Sequence, residues 1–362
     1  MTSATTTPGT HTLWLGTYPG DGPDGPPGTG EGVWRVQLDG VTGELSGELV
    51  ASTPAPSFLA LSPDGSTLYA AGETAPGTVT AFAVAPDGGL TQRNQVASGG
   101  DAPCHLLVHP DGRALYVSNY VTGELTVLTL ALDGGFTPEA AHGPVQSFAH
   151  TGTGPDLARQ EGPHAHSAFL APGGAYVLVA DLGTDQLRRY AVGADGTLAA
   201  AGVAHTFAPG TGPRHLAALA GGHHLVVVGE LSQTLHLLAW DAATGAAREV
   251  QVLPVCASPL VSGDRVLASH VLVDGGTVLV GVRGSDVVSR FTVHDDGAGL
   301  THEGDVGAGG AWPRHMALAG GWLVVAVQGA DAVTTLAWDG DRVVEGVAGR
   351  LAMPVPACVL PA

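Results

Sequence analysis

Apolar residues in this chain fall into short runs separated by polar turns. No 3.6-residue periodicity is sustained anywhere, which predicts strands rather than helices. Residues 56–73 show the unit. Pro56-Ser57-Phe58-Leu59-Ala60-Leu61 leads into Ser62-Pro63-Asp64-Gly65-Ser66 and then Thr67-Leu68-Tyr69-Ala70-Ala71-Gly72-Glu73. This reads as a strand, a Pro-Asp-Gly turn and a second strand. The pattern starts again at Pro103-Cys104-His105, with the turn Pro110-Asp111-Gly112, and returns at Pro163, Pro213 and Pro313. A weaker copy begins near Ala268 and turns at Asp274-Gly275-Gly276. The prolines are spaced by 47, 60, 50 and 100 residues, so the last spacing spans two units of about fifty. A third run then ends in a polar turn, as residues 79–84 do before Pro86-Asp87-Gly88-Gly89 and residues 125–130 before Asp133-Gly134-Gly135. A fourth strand is expected after the Leu or Phe that follows each such turn.

Four short strands joined by hairpins make a β-propeller blade. Six full units run from about residue 57 to 353. Residues 11–18, 32–38 and 49–52 read as strands two, three and four of a blade that lacks its first strand. The C-terminal Pro356-Ala357-Cys358-Val359-Leu360 reads as a first strand without partners, its Pro-x-Cys matching Pro103-Cys104-His105. Joining the two ends supplies a seventh blade and removes the exposed edges of an open array. The expectation is an all-β, seven-bladed propeller forming one domain over residues 1–362, with residues 1–10 as a flexible tail. Two segments break the rhythm: residues 19–31, a Gly/Pro-rich loop in the first blade, and residues 143–162, an insertion before the fourth.

Composition narrows the function classes. The formal charge is −19, and all 14 basic residues are Arg. An acidic chain without a basic run has no footprint for nucleic acid or an anionic membrane. The absence of Lys excludes Schiff-base and P-loop chemistry. Three widely spaced cysteines form neither a disulfide framework nor a zinc motif, which suits a reducing cytoplasm. The first residues do not read as a signal peptide, and no apolar run has transmembrane length. A monomer is expected.

Candidate chemistry follows from the meander. The start of strand one and the end of strand two lie side by side, and strand one is innermost, so both should ring one mouth of the channel. The first set is Cys104-His105, His164-Ala165-His166, Arg214-His215 and Arg314-His315; the second is Glu73, Asn119-Tyr120, Asp181, Glu230, Arg283 and Gln328. A plain structural role competes for several of these: His105, His215 and His315 can tie blade to blade, and Glu230 with Arg214 can be a buried ion pair. His164 and His166 are expected to face opposite ways, with His166 towards the channel. His-x-His can ligate a metal, but no third ligand is set by spacing. Cys104 reads as a small buried thiol rather than a nucleophile.

Arg159-Gln160-Glu161-Gly162-Pro163-His164-Ala165-His166, Gly212-Pro213-Arg214-His215, Gly229-Glu230-Leu231-Ser232 and Trp312-Pro313-Arg314 resemble the lactonase family of seven-bladed propellers. That family holds the propeller-type 6-phosphogluconolactonases and the fungal 3-carboxymuconate lactonising enzymes. The likeness runs from Leu15-Gly16-Thr17-Tyr18 to Pro356-Ala357-Cys358-Val359. It implies a site of one His, two Arg and one Glu, matched here by His166, Arg214 and Glu230, with Arg283 as the fourth. The family's usual Asn before Glu73, Glu230, Arg283 and Gln328 is replaced by Gly72, Gly229, Val282 and Val327.

The resemblance implies hydrolysis of a sugar lactone carrying an anion, with no cofactor. His166 or Glu230 would be the base, and Arg214 and Arg283 the anion anchors. Arg159, His164, Arg314, Glu73, His105 and His215 would complete the substrate contacts. A cycloisomerase acting on an unsaturated dicarboxylate, and a non-catalytic binding propeller, are the alternatives. Because a lactone opens easily, activity is expected to survive exhaustive chelation; complete loss, restored by one divalent metal, would refute the metal-free reading.

Overall fold

A computed structural model describes residues 9–18, 30 and 32–362. These residues form seven four-stranded antiparallel sheets, and each sheet but one takes its four strands consecutively from the chain. The inner strands of blades two to seven are Pro56–Leu61, Pro103–Val108, Ala165–Leu170, Pro213–Ala218, Leu267–Asp274 and Pro313–Ala319. The Pro-Asp-Gly turns work as their chemistry requires. The Asp64 carboxylate accepts the Ser66 N–H at 3.1 Å, and Gly65 takes φ 71°, a conformation that favours a residue without Cβ.

The exception is the first sheet. Its inner strand is the C-terminal Pro356–Pro361, hydrogen-bonded to Thr10–Thr17 with Leu15 opposite Val359 and Gly16 opposite Cys358. The seam is packed as well as paired. Leu13, Leu15, Val36, Val324, Ala326, Met353 and Val359 form one buried cluster across the last and first blades. The Trp322 indole N–H donates to the Gly40 carbonyl at 3.1 Å, and the Thr335 hydroxyl to the Gly43 carbonyl at 2.7 Å. Gly16 sits where the first and second blades come closest: a Cβ there would fall 2.1 Å from the Pro56 carbonyl oxygen.

The fourth strand of blade three departs from expectation. After the turn at Asp133 the chain makes only an isolated bridge, Phe136 to Leu130. It then turns through a 3-10 helix, Ala140–His142, and returns as the short edge strand Gln146–Phe148. Pro138 carries no N–H, so a ladder starting at Phe136 cannot continue. The edge strand therefore lies inside residues 143–162, whose first part completes blade three and whose remainder forms the loop that carries Arg159. The Gly/Pro-rich segment 19–31 falls outside the described residues apart from Gly30, as does most of the tail expected at residues 1–10.

Deleting residues 354–362 should unfold the protein rather than trim it, because it opens the ring and bares the edge of Thr10–Thr17 that Pro356–Pro361 covers. A truncated chain with an unchanged melting temperature in circular dichroism would contradict this.

Candidate active site

The site is built where inner strands begin. In all seven blades the pairing between the inner and second strands slips at that point: at Pro56/Phe58, Pro103/His105, Ala165/Ser167, Pro213/Leu216, Ala268/Val271, Pro313/His315 and Pro356/Cys358. Such irregularities re-aim side chains. They let consecutive residues such as Arg214 and His215 both reach the interior instead of alternating. The same slip separates His164 from His166. Two residues apart in a regular strand they would share a face. Instead His164 lies behind the wall, stacked on Tyr120 at 4.5 Å with its Nδ1 2.8 Å from the Tyr120 carbonyl, while His166 lines the cleft.

Glu230 is the hub. It follows the second strand of blade five, His224–Gly229, and is completely buried. Its Oε1 lies 2.8 Å from an Arg159 guanidinium nitrogen; its Oε2 lies 2.8 Å from Arg214 Nε and 2.8 Å from an Arg283 nitrogen. Burial opposes ionisation of this carboxyl, but the guanidiniums of Arg283, Arg159 and Arg214 outweigh it and hold it well below the ordinary carboxylate range. Burial, and then repulsion from Arg283, pulls Arg214 down to about 9, so it remains cationic at neutral pH. Arg159 comes from the loop before blade four and also donates to the Tyr120 hydroxyl at 3.1 Å.

Beside this cluster lies a narrow cleft, with a cavity volume of about 10 Å³, lined by Glu73, Cys104, His166, Arg214, His215 and Arg314 among others. Arg314 lies over the Tyr18 ring at 4.1 Å and donates to Gln328 Oε1 at 3.3 Å. Burial, and then the Arg214 charge, holds His166 well below an ordinary imidazole, so the ring is neutral at physiological pH. Its Nδ1 makes no hydrogen bond among the described residues. Burial pushes the Cys104 thiol far up, which leaves it protonated and inert, as the sequence suggested.

Several expected residues stand elsewhere. Arg283, expected as an anion anchor, is fully buried behind Glu230, bonded also to the Ala268 carbonyl at 3.1 Å and stacked by Trp312 at 5.4 Å. It is not among the residues that line the cleft. Asp181 pairs with Arg188 at 2.9 Å and caps the His164 N–H at 2.9 Å. Asn119 bonds to Thr126 within its own blade. His105 sits below the cleft against Phe58, with ring centroids 4.2 Å apart.

Phe58, His105, His215, His270 and His315 form a stacked floor across the channel. His215 and His270 meet Nδ1 to Nδ1 at 2.7 Å, and His270 stacks on His315 at 3.9 Å. His105 and His315 each accept a backbone N–H at Nδ1, from Ala168 at 3.4 Å and Val359 at 3.3 Å. That places their remaining proton on Nε2. Sequence reading missed His270 because blade six lacks the opening proline. Aligning Ala268-Ser269-His270 with Pro213-Arg214-His215 and Pro313-Arg314-His315 would have found it. No group of three or more His, Cys, Asp or Glu among the described residues is arranged to hold a metal.

A closed ring of seven blades that gathers four arginines, two glutamates and a neutral imidazole at one mouth has the build of a propeller enzyme. Comparison with known proteins carries this further. The family described as lactonase, seven-bladed β-propeller, matches residues 12–361. A 6-phosphogluconolactonase of Bacillus subtilis is 33% identical over 290 residues, 79% of this chain and 81% of that protein. A solved structure titled a periplasmic gluconolactonase of Pseudomonas aeruginosa is 27% identical, with TM-score 0.86 over 98% of this chain and 99% of that one. A Lactobacillus plantarum protein of solved structure has TM-score 0.87 at 27% identity, over 98% and 100% of the two chains. The chain belongs to the lactonase family of seven-bladed propellers.

The floor makes the fold acid-sensitive. Burial, and then the Arg214 charge, pulls His105 and His315 down to about 3 from an ordinary 6.5. Below pH 6.5 the unfolded chain binds protons that the folded chain refuses until about pH 3. Stability should therefore fall with pH across that window, by up to ~1.4 kcal/mol per pH unit for each such histidine. Glu230, whose folded value is depressed, adds its own loss below the ordinary 4.5. Denaturant unfolding between pH 7.5 and 4 should show this slope, flatter in His105→Gln. A pH-independent stability would contradict it.

Proposed function

We propose that this protein hydrolyses a sugar lactone, with 6-phosphogluconolactone as the preferred substrate and 6-phosphogluconate as the product. The observation that carries the reading is the neutral His166 on the wall of a narrow cleft that Arg214 and Arg314 also line, with Glu230 paired to Arg214. Nothing in the reaction calls for a cofactor. The partner is a small anionic sugar lactone, and the chain acts as a monomer in the pentose phosphate route. Three unpaired cysteines favour the cytoplasm, although one structural neighbour is described as periplasmic.

The chemistry assigns separate roles. Water attacks the lactone carbonyl carbon as His166 takes its proton. Arg214 and Arg314 stabilise the oxyanion and grip the substrate's anionic group, which guanidinium forks suit. The ring C–O bond then breaks, and the imidazolium returns its proton to the departing oxygen as a hydroxyl. Glu230 does not serve as the base, because both its oxygens are engaged by guanidiniums and it is held ionised. A substrate anion seated on Arg214 offsets the charge that, after burial, most depresses His166. Binding thus raises the basicity of the group that must act next.

Initial rates of lactone opening, corrected for spontaneous hydrolysis, test this with four variants. Arg314→Ala should mainly raise KM for the phosphorylated lactone, by roughly tenfold to a hundredfold, the worth of one charged hydrogen bond. Gluconolactone should be affected much less. His166→Ala should lower kcat on both substrates by about 10²–10⁴. Arg214→Ala should combine the two losses. Glu230→Gln should cost about 3–5 kcal/mol of stability by leaving buried guanidiniums uncompensated. If all four variants keep wild-type turnover per folded molecule, the site lies elsewhere.

A further inference from the structure

Five inner strands are entered through a left-handed residue. Ala55, Ala102, Gly212, Trp312 and Val355 have φ of 47°, 53°, 58°, 61° and 42°, and each directly precedes a blade-opening proline. Residues with a side chain disfavour that conformation, and a following proline restricts the backbone further. In three blades an aspartate holds it. Asp185, Asp286 and Asp331 each stand just before the third strand of the preceding blade and are left-handed themselves, at φ 56°, 57° and 44°. The Oδ1 of each accepts the N–H of the residue before the proline: Gly212 at 2.7 Å, Trp312 at 2.8 Å and Val355 at 2.9 Å. The residues just past those prolines are Arg214, Arg314 and Ala357.

Asp185 holds more than its two counterparts. Its Oδ2 accepts the Gly210 N–H at 2.7 Å, and its Oδ1 also accepts the side-chain amide of Gln160 at 2.8 Å. Gln160 is wholly buried and spends its other amide hydrogen on the Leu182 carbonyl at 2.8 Å. Gly154 leaves the room for this amide, since a Cβ there would lie 2.3 Å from Gln160 Oε1. Gln160 directly follows Arg159. One buried carboxylate therefore fixes both the loop that brings Arg159 to Glu230 Oε1 and the strand entry that brings Arg214 to Glu230 Oε2.

We propose that Asp185 is a positioning residue of the active site, setting the placement of Arg159 and Arg214 about Glu230 without touching substrate. The proposal rests on the lactonase reading above. Nothing about blade assembly requires Asp185 to reach Gln160, whereas Asp331 performs the strand-entry task alone, ahead of Ala357, which brings no charge.

The test compares Asp185→Asn, Gln160→Ala and Asp331→Asn in the full chain, measuring melting temperature and kcat and KM on 6-phosphogluconolactone and gluconolactone. Asparagine keeps the shape of Asp185 but replaces one accepting oxygen with an NH2, which must face at least one of the N–H donors from Gly210, Gly212 and Gln160. Asp185→Asn should lose tenfold to a hundredfold in kcat/KM per folded molecule, the scale expected of a small misplacement. The loss should be larger on the phosphorylated lactone. Asp331→Asn should lower the melting temperature and leave kcat/KM per folded molecule intact. Gln160→Ala leaves both glycines latched, so it should show a smaller activity loss, and it decides the matter if Asp185→Asn does not fold. Wild-type kcat/KM in both Asp185→Asn and Gln160→Ala, or an equal activity loss in Asp331→Asn, would overturn the proposal. If the wild-type chain opens neither lactone, the functional reading has failed first, before any variant, and the positioning role falls with it.

Discussion

The Glu230 carboxylate, enclosed by Arg159, Arg214 and Arg283, is the interaction on which the rest of the site depends. A fully buried ion is costly, and so is each buried guanidinium; the arrangement persists only because every member has opposite charge beside it. One carboxylate among three cations leaves net positive charge in a protein of formal charge −19. That excess has no structural use that neutral residues could not serve better. It is what a site requires if it must draw a small anion into an acidic protein and stabilise developing negative charge on oxygen.

The propeller supplies what this cluster needs. Arg159, Arg214, Glu230 and Arg283 come from a loop and from three strand ends, spread over more than a hundred residues of chain. Only a ring that brings strand entries to a common axis puts them within hydrogen-bonding distance. Ties between neighbouring blades keep the ring rigid at that level: the Ser167 hydroxyl donates to the Arg214 carbonyl and the Ser269 hydroxyl to the Pro313 carbonyl, each at 2.6 Å. Below, the imidazole floor closes the channel with groups that stay neutral.

The repeat was legible because its determinants are local. A Pro-Asp-Gly turn, an apolar run and a second turn specify a hairpin wherever they stand, and self-comparison counts them without any tertiary knowledge. The missing first strand at one end and the spare strand at the other announced ring closure for the same reason. The break in blade three was harder, since one proline stopped the ladder after Phe136 and the chain found its edge strand only ten residues later.

By itself, then, the sequence determined the number of blades, the closure of the ring and the set of charged residues at one mouth. Those follow from hairpin periodicity and from strand order within a blade. Tertiary structure decided which of these residues line the cleft. Arg283 and Arg314 are equivalent candidates on paper, yet one is sealed behind Glu230 and the other lines the cleft. His164 and His166 do face different ways, as expected, but the cause is a slip in pairing that no residue pattern announces, not alternation along a strand. Asp185 and His270 carried no motif of their own. Their roles arise from what the ring places beside them, because register slips and contacts between distant blades depend on packing across the whole fold rather than on neighbours in the chain.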